Sequence, residues 1–300
     1  MEDQNTTVLK QADATIEVVG IISEIDLEKV QEKDNEVIRG RIKVKTSDTN
    51  TVPIDVYVNK YTKDKKENRT YAGWETRMET YKSIADVGEE EATVVHIKRG
   101  QLRPQLYINR ETLQEMKTVR YSANFMNELK GVDRENAEYK AEFHVTGYIQ
   151  SMVQEFDKEG EETGRIILNI QVPTYNSIEP LTIFVPEDLA DAVSSLWEMG
   201  QTADFDGQIV NRAIVTEKVI KRAIGKDLVN KEYDYKNELV LTGGSEPYEE
   251  ELAYSEEAVR KALADKQISL DQSKNEFGAA KNKNNAAPKT SGRTLPRANF

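Results

Sequence analysis

The residues of this chain best suited to chemistry are cations placed beside flat rings. In "IRGRIKVKTSDTNTVPIDVYV" (residues 38–58), alternation puts Ile42, Val44, Ile54, Val56 and Val58 on one side and Arg41, Lys43, Lys45, Asp55 and Tyr57 on the other. In "ETGRIILNIQVPTYNSIEPLTIFV" (162–185), Ile166, Leu168, Ile170, Leu181, Ile183 and Val185 take one side, leaving Arg165, Ile167, Asn169 and Phe184 opposite. Successive side chains on a strand point to opposite faces. Arg41 is therefore expected to share an outer face with Tyr57, and Arg165 with Phe184. A guanidinium holds anionic oxygens and an exposed ring stacks on another π-system, so each pair suits a ligand that is charged along its backbone and carries flat bases. The competing reading is that the two rings pack under a loop or against a neighbouring domain.

Other chemistries lack their residues. Cysteine is absent, which removes disulfides, thiolate nucleophiles and zinc–thiolate sites. The two histidines, His96 and His144, stand far apart in predicted strands, and no phosphate-binding loop or nucleophile elbow occurs. No apolar run approaches the roughly 18–20 residues of a membrane span. The expectation is a non-enzyme with no cofactor, no metal and no membrane partner, placed in the cytoplasm. With 300 residues, 38% hydrophobic and 31% charged, the chain is long enough for two domains. A net charge of −12 argues against a protein that coats duplex DNA by charge alone, but it permits a local basic groove on an acidic body.

The elements that must position these residues occur twice. "IEVVGII" (16–22) matches "FHVTGYI" (143–149), "GRIKV" (40–44) matches "GRIIL" (164–168), and "VPIDVYV" (52–58) matches "EPLTIFV" (179–185). Each copy reads as three strands, a helical stretch and further strands. The second helix, "PEDLADAVSSLWEMG", opens with Pro186 and two acids and stops at Gly200; the first, "YAGWETRMETYKSIADVG", stops at Gly88. The expected final hairpin of the first copy is 93–98 and 103–109, turning at Gly100, and that of the second copy lies between 203 and 221. Three strands, a helix and a last hairpin are the order of the OB-fold, a five-stranded Greek-key barrel. The expected fold is mainly β: two tandem OB-fold-like five-stranded barrels with a helix between strands 3 and 4, then a C-terminal helix and a disordered tail.

The first copy carries more of the same chemistry. "KYTKDKKENRTYAGWETRMETYK" (60–82) interleaves basic residues with Tyr61, Tyr71, Trp74 and Tyr81. Such interleaving suits a single-strand groove, although for Trp74 a place in the core explains the residue equally well. "HIKRGQLRPQLYINR" (96–110), the expected final hairpin, carries Lys98, Arg99, Arg103 and Arg110, with Tyr107 facing opposite to Leu106 and Ile108, and its turn is the expected closing loop. The stretch "SEIDLEKVQEKDNE" (23–36), read as the loop between strands 1 and 2, is acidic and a poor phosphate clamp. The expected division is a flexible 1–13, a first barrel over 14–130, a second over 131–244, an acidic helix over 245–270 and a disordered basic tail over 271–300.

On these residues the chain resembles the OB-fold single-stranded DNA-binding proteins, in a tandem form such as bacteriophages encode. The stretch "NELVLTGGSEPYEEELAYSEEAVRKAL" (237–263) is similar to the C-terminal part of phage replication-region proteins of low-GC Gram-positive hosts. The resemblance covers roughly residues 14–221 and implies sequence-tolerant binding that protects unwound DNA in replication or recombination, in the host cytoplasm if the chain is phage-encoded. RNA is the other single strand that the pattern admits. The implied binding face includes Arg41, Lys43, Tyr57, Arg165 and Phe184, with Lys98, Arg99 and Arg103 on the closing loop. The C-terminal region is where replication or recombination proteins would be met. Bacterial members end in an acidic tip finishing Pro-Phe; here Phe300 is present but Arg293 and Arg297 stand where acids are expected. The alternative is a protein-interaction or virion-associated scaffold built from the same barrels.

Overall fold

The computed structural model describes residues 9–134, 136–220, 222 and 228–285. Its first half contains β1 (Ala14–Glu32), β2 (Asn35–Lys45), β3 (Thr51–Asn59), α1 (Arg69–Thr80), α2 (Ile84–Val87), β4 (Val94–Ile108), β5 (Glu115–Ser122) and the short β6 (Asn127–Glu128). Its second half contains β7 (Lys140–Phe156), β8 (Glu162–Thr174), β9 (Ser177–Val185), α3 (Glu187–Leu196), β10 (Thr202–Ile220), β11 (Leu228–Gly244) and α4 (Glu256–Asn285).

Period-two patterning dictates the strands. In β2 and β3 the residues Ile42, Val44, Ile54 and Val56 are buried, and the residues between them face outward or sit at intermediate depth. The strands close twice, and in the same order. β1 pairs with β2, β2 with β3, β3 with β5 in parallel through Ile54 and Asp55, β5 with β4, and β4 back with β1. β7, β8, β9, β11 and β10 repeat that circuit, with β9 and β11 parallel at Phe184 and Val240. These are two five-stranded OB barrels.

The barrels are fused edge to edge. Ala14–Val19 of β1 pairs antiparallel with residues 140–145 of β7, so all the strands belong to one hydrogen-bonded sheet. Ile16 pairs with Phe143, its own counterpart in the sequence match. A residue can face its own equivalent across antiparallel strands only where a local two-fold axis passes between them. The same point is tight in both barrels. A Cβ on Gly100 would lie 2.5 Å from Ile16, and one on Gly207 would lie 2.5 Å from Phe143.

Gly100 therefore answers to packing and not to a turn. β4 runs unbroken through it, and the hairpin turns instead at residues 109–114 before β5. The expected hairpin of 93–98 and 103–109 is one strand, and the fifth strand of the barrel is 115–122. In the second barrel the closing ribbon is β10 with β11, so the hairpin expected between 203 and 221 is one strand and its partner is 228–244. The acidic stretch 23–36 is mostly strand as well: β1 and β2 stay paired to Glu32 and Asn35, around the turn at Lys33 and Asp34.

Each barrel is plugged from the segment after its third strand. Asn68 caps α1 by accepting from the Thr70 N–H at 3.0 Å. Trp74 is 0% exposed, and its Nε1 donates to the Asn124 carbonyl, 2.9 Å away and just beyond β5. Trp197, at the end of α3, donates to the Ser245 carbonyl, 3.0 Å away and just beyond β11, and meets Phe205 edge-on at 4.9 Å. The α4 helix continues fifteen residues past the expected boundary at 270, because Leu270 is buried and Phe277 packs under Arg110. The rest of the expected disordered tail, 286–300, lies outside the described residues, as do residues 1–8 of the expected flexible start. Residues 9–13 are tied down: Ala12 is buried and its N–H donates to the Pro173 carbonyl at 2.9 Å.

Candidate nucleic-acid interface

The outer face of β1–β2–β3 carries three cross-strand rows: Glu24–Lys43–Pro53, Asp26–Arg41–Asp55 and Glu28–Arg39–Tyr57. The acids of the supposed loop stand directly opposite the cations of β2. Lys43 pairs with Glu24 at 2.6 Å, and Arg39 with Glu28 at 2.9 Å and Glu32 at 2.7 Å. Asp55, with 16% of its side chain exposed, is held between Arg41 at 2.9 Å and Arg120 at 2.6 Å. The Tyr57 ring is 57% exposed, and its hydroxyl donates to Glu32 at 2.9 Å, which raises the phenol pKa above its ordinary value. Exposed ion pairs of this kind are worth about 0–1 kcal/mol each, so a phosphate can compete for the cations. The displaced carboxylates stay nearby and oppose it.

The second barrel uses the same positions differently. A bulge between Ile22 and Glu24 in β1 recurs between Ile149 and Ser151 in β7 and anchors the comparison. From it the rows run Ser151–Asn169–Thr182, then Val153–Ile167–Phe184, then Glu155 beside Arg165. The first row is hydrogen-bonded: Asn169 donates to Ser151 at 3.1 Å and accepts from Thr182 at 2.9 Å. Followed through the ladders, Phe184 occupies the place of Asp55, and Arg165 the place of Arg39. The match of the two Gly-Arg-Ile segments is two residues out of register. An even slip preserves which side chains face outward but mispairs them. Arg165 is 20% exposed, lies 4.8 Å over the Phe184 ring, and is held by Glu155 at 3.3 Å and Glu238 at 3.0 Å. Guanidinium already covers one face of that ring.

Two grooves adjoin these faces. The first, about 1470 Å³, runs over β1–β3 and includes Arg39, Arg41, Lys43, Tyr57, Arg103 and Arg120. The acids Asp13, Glu24, Asp26, Glu28, Asp55 and Glu179 line it too, so it is not a basic surface. The second, about 1190 Å³, lies between the barrels. Among the described residues its charged wall is Arg41, Arg110, Lys117, Arg120 and Lys266 against Asp55 and Glu238, and its rings are Tyr107, Tyr121, Phe184 and Phe277. Arg41, Asp55, Gln105 and Arg120 line both, so the grooves form one path. The α4 helix walls the second groove. Lys266 pairs at 2.6 Å with Glu179, which also accepts from the Leu106 N–H of β4 at 2.7 Å. Arg110 stacks 5.1 Å from Phe277, and Lys281 donates to the Glu111 carbonyl at 3.0 Å.

The sequence-expected residues are therefore divided. Arg41, Lys43, Tyr57 and Arg103 line the first groove, and Arg41, Tyr107 and Phe184 the second. Arg103 folds back onto Gln101 at 2.9 Å. Lys98 and Arg99 are exposed on β4, not on a closing loop, and line neither groove. Tyr61 is also outside both, its carbonyl held by Asn35 at 2.9 Å beside the β1–β2 turn. Trp74 is core and offers no ring to a ligand. Sequence reasoning missed Lys117 and Arg120, whose signal is the short run "EMKTVRYS" with two cations. It also missed Lys266, which no local pattern distinguishes.

A family model, YorF, matches residues 13–276. The chain belongs to the YorF family. No curated protein matches it. Among solved structures, this family member is similar to the wild-type single-stranded DNA-binding protein from Thermus aquaticus, with 11% identity, a TM-score of 0.47, and 80% of this chain and 95% of that chain covered. A deletion mutant of the same protein gives 12%, 0.46, 81% and 98%. A replication protein A heterotrimer bound to single-stranded DNA gives 10%, 0.22, 87% and 70%.

Proposed function

We propose that this protein binds single-stranded DNA, without catalysis and without strong sequence preference, along the path formed by the two grooves. One observation carries the reading: on a chain of net charge −12, the channel between the barrels gathers Arg41, Arg110, Lys117, Arg120 and Lys266 beside four aromatic rings, against two acids. Cations that follow a backbone and rings that accept unpaired bases are what single-strand binding requires, because every base presents a π-face whatever its identity. The finer role is protection of unwound DNA in phage-type replication or recombination in the host cytoplasm, with replication proteins met through the C-terminal region.

The test is fluorescence anisotropy of the full chain with labelled oligo-dT and with duplex at several salt concentrations. The single strand should be preferred. The slope of log affinity against log salt should fall between about −1.4 and −3.5, the values for two and five neutralised phosphates on a single strand. Equal affinity for duplex, or no salt dependence, overturns the reading. The alternative of a protein-interaction scaffold draws support from the second barrel, where Val153 and Phe156 stand exposed on β7. Indifference to every oligonucleotide would favour it.

A further inference from the structure

The turn joining β8 to β9 belongs to the second barrel but reaches over the first. Its tip is Tyr175 and Asn176, with Asn176 at φ 62° and Thr174 paired to Ser177 across it. The Pro173 carbonyl accepts from Ala12, just ahead of β1, and this fixes the turn against the first barrel. Tyr175 is 81% exposed and lines the first groove together with Tyr57.

The local two-fold gives this turn a counterpart, residues 46–50 between β2 and β3, which reaches the second barrel in the same way. That turn is spent on docking: Asn50 donates to the Ile209 carbonyl at 3.0 Å and accepts from the Asn211 N–H at 2.6 Å. Among the described residues Tyr175 has no such partner. Both turns tie the barrels together, residues 46–50 through the Asn50 side chain and the β8–β9 turn through the Pro173 carbonyl. The β8–β9 turn also holds an exposed ring in a groove that already contains an exposed ring and the cations Arg41 and Arg120.

We propose that Tyr175 stacks on an unpaired base of a strand lying in the first barrel's groove, so that the second barrel completes the first barrel's site. The proposal rests on the single-strand reading above. Base and phenol ring associate without covalent change, and the stack asks nothing of base identity. Neither barrel alone holds both rings.

The experiment uses the full chain with a fluorescein-labelled oligo-dT of about fifteen nucleotides, a length within the span of one OB-fold. Tyr175→Ala should weaken binding roughly 5- to 150-fold, the worth of one base–aromatic stack, and Tyr175→Phe should restore it. The melting temperature should not move, since the ring touches solvent. A 5-iodouracil oligonucleotide should photo-crosslink to Tyr175. If Tyr175→Ala binds like the parent while Tyr57→Ala binds weakly, the composite site is wrong and the single-strand reading stands. If the parent protein itself binds no oligo-dT, both fall.

Discussion

The two barrels share a circuit of strands, a bulge, a packed glycine and a plugging tryptophan, yet their outer faces are opposites. The first is a lattice of carboxylates on β1 facing cations on β2, neutralised within itself, with Tyr57 at its margin. The second is a row of amide and hydroxyl groups beside a row of apolar ones, with its ring capped by Arg165. Core positions must fill a closed cylinder and so converge. Face positions meet only water or a ligand and are free to diverge. Topology therefore says where an OB face lies and not what it holds, and here cations outnumber acids in the channel between the barrels rather than on either face.

The plugs should show the barrels at their most alike. Trp74→Ala and Trp197→Ala should each cost about 3–5 kcal/mol in denaturant unfolding, the loss typical of a buried large aromatic. A mild effect at one site alone would mean that only one barrel depends on its plug. Next in size is the channel. Lys117→Ala with Arg120→Ala should weaken oligo-dT binding by roughly 3–6 kcal/mol, about 1.5–3 for each charge-assisted contact. Unchanged anisotropy would return the site to the outer faces.

The rings then separate the barrels. Tyr57→Ala should cost about 1–3 kcal/mol of binding, the worth of one stack, and Phe184→Ala less, because Arg165 already occupies one face of the ring. Equal losses would show that Arg165 leaves Phe184 when the strand arrives. The smallest effect is a gain. Asp55→Asn releases Arg41 and Arg120 and should tighten binding at low salt by about 0.5–1 kcal/mol, a difference that shrinks as salt rises. Weaker binding in that variant would assign Asp55 to positioning the two arginines.

Much of this was legible in the chain. Alternation in residues 38–58 and 162–185 set the inward and outward faces, because a strand has only two sides. The slip of two residues between the copies left that parity intact. Pairing was not legible, since Arg165 and Phe184 read as counterparts of Arg41 and Tyr57 until the ladders gave them the places of Arg39 and Asp55. Gly100 read as a turn because a glycine's freedom and its lack of a side chain look identical in sequence. That misreading displaced the fifth strand, and with it Lys117 and Arg120.

By itself the sequence determined strand parity, the two-barrel plan and the absence of thiol chemistry, all of which depend on residue type and local period. The tertiary structure decided which charges are already spent on one another, which ring is covered, and which cations share the channel between the barrels. Those properties belong to side chains brought together across barrels and from α4, and such closeness is fixed by closure of the sheets and not by spacing along the chain.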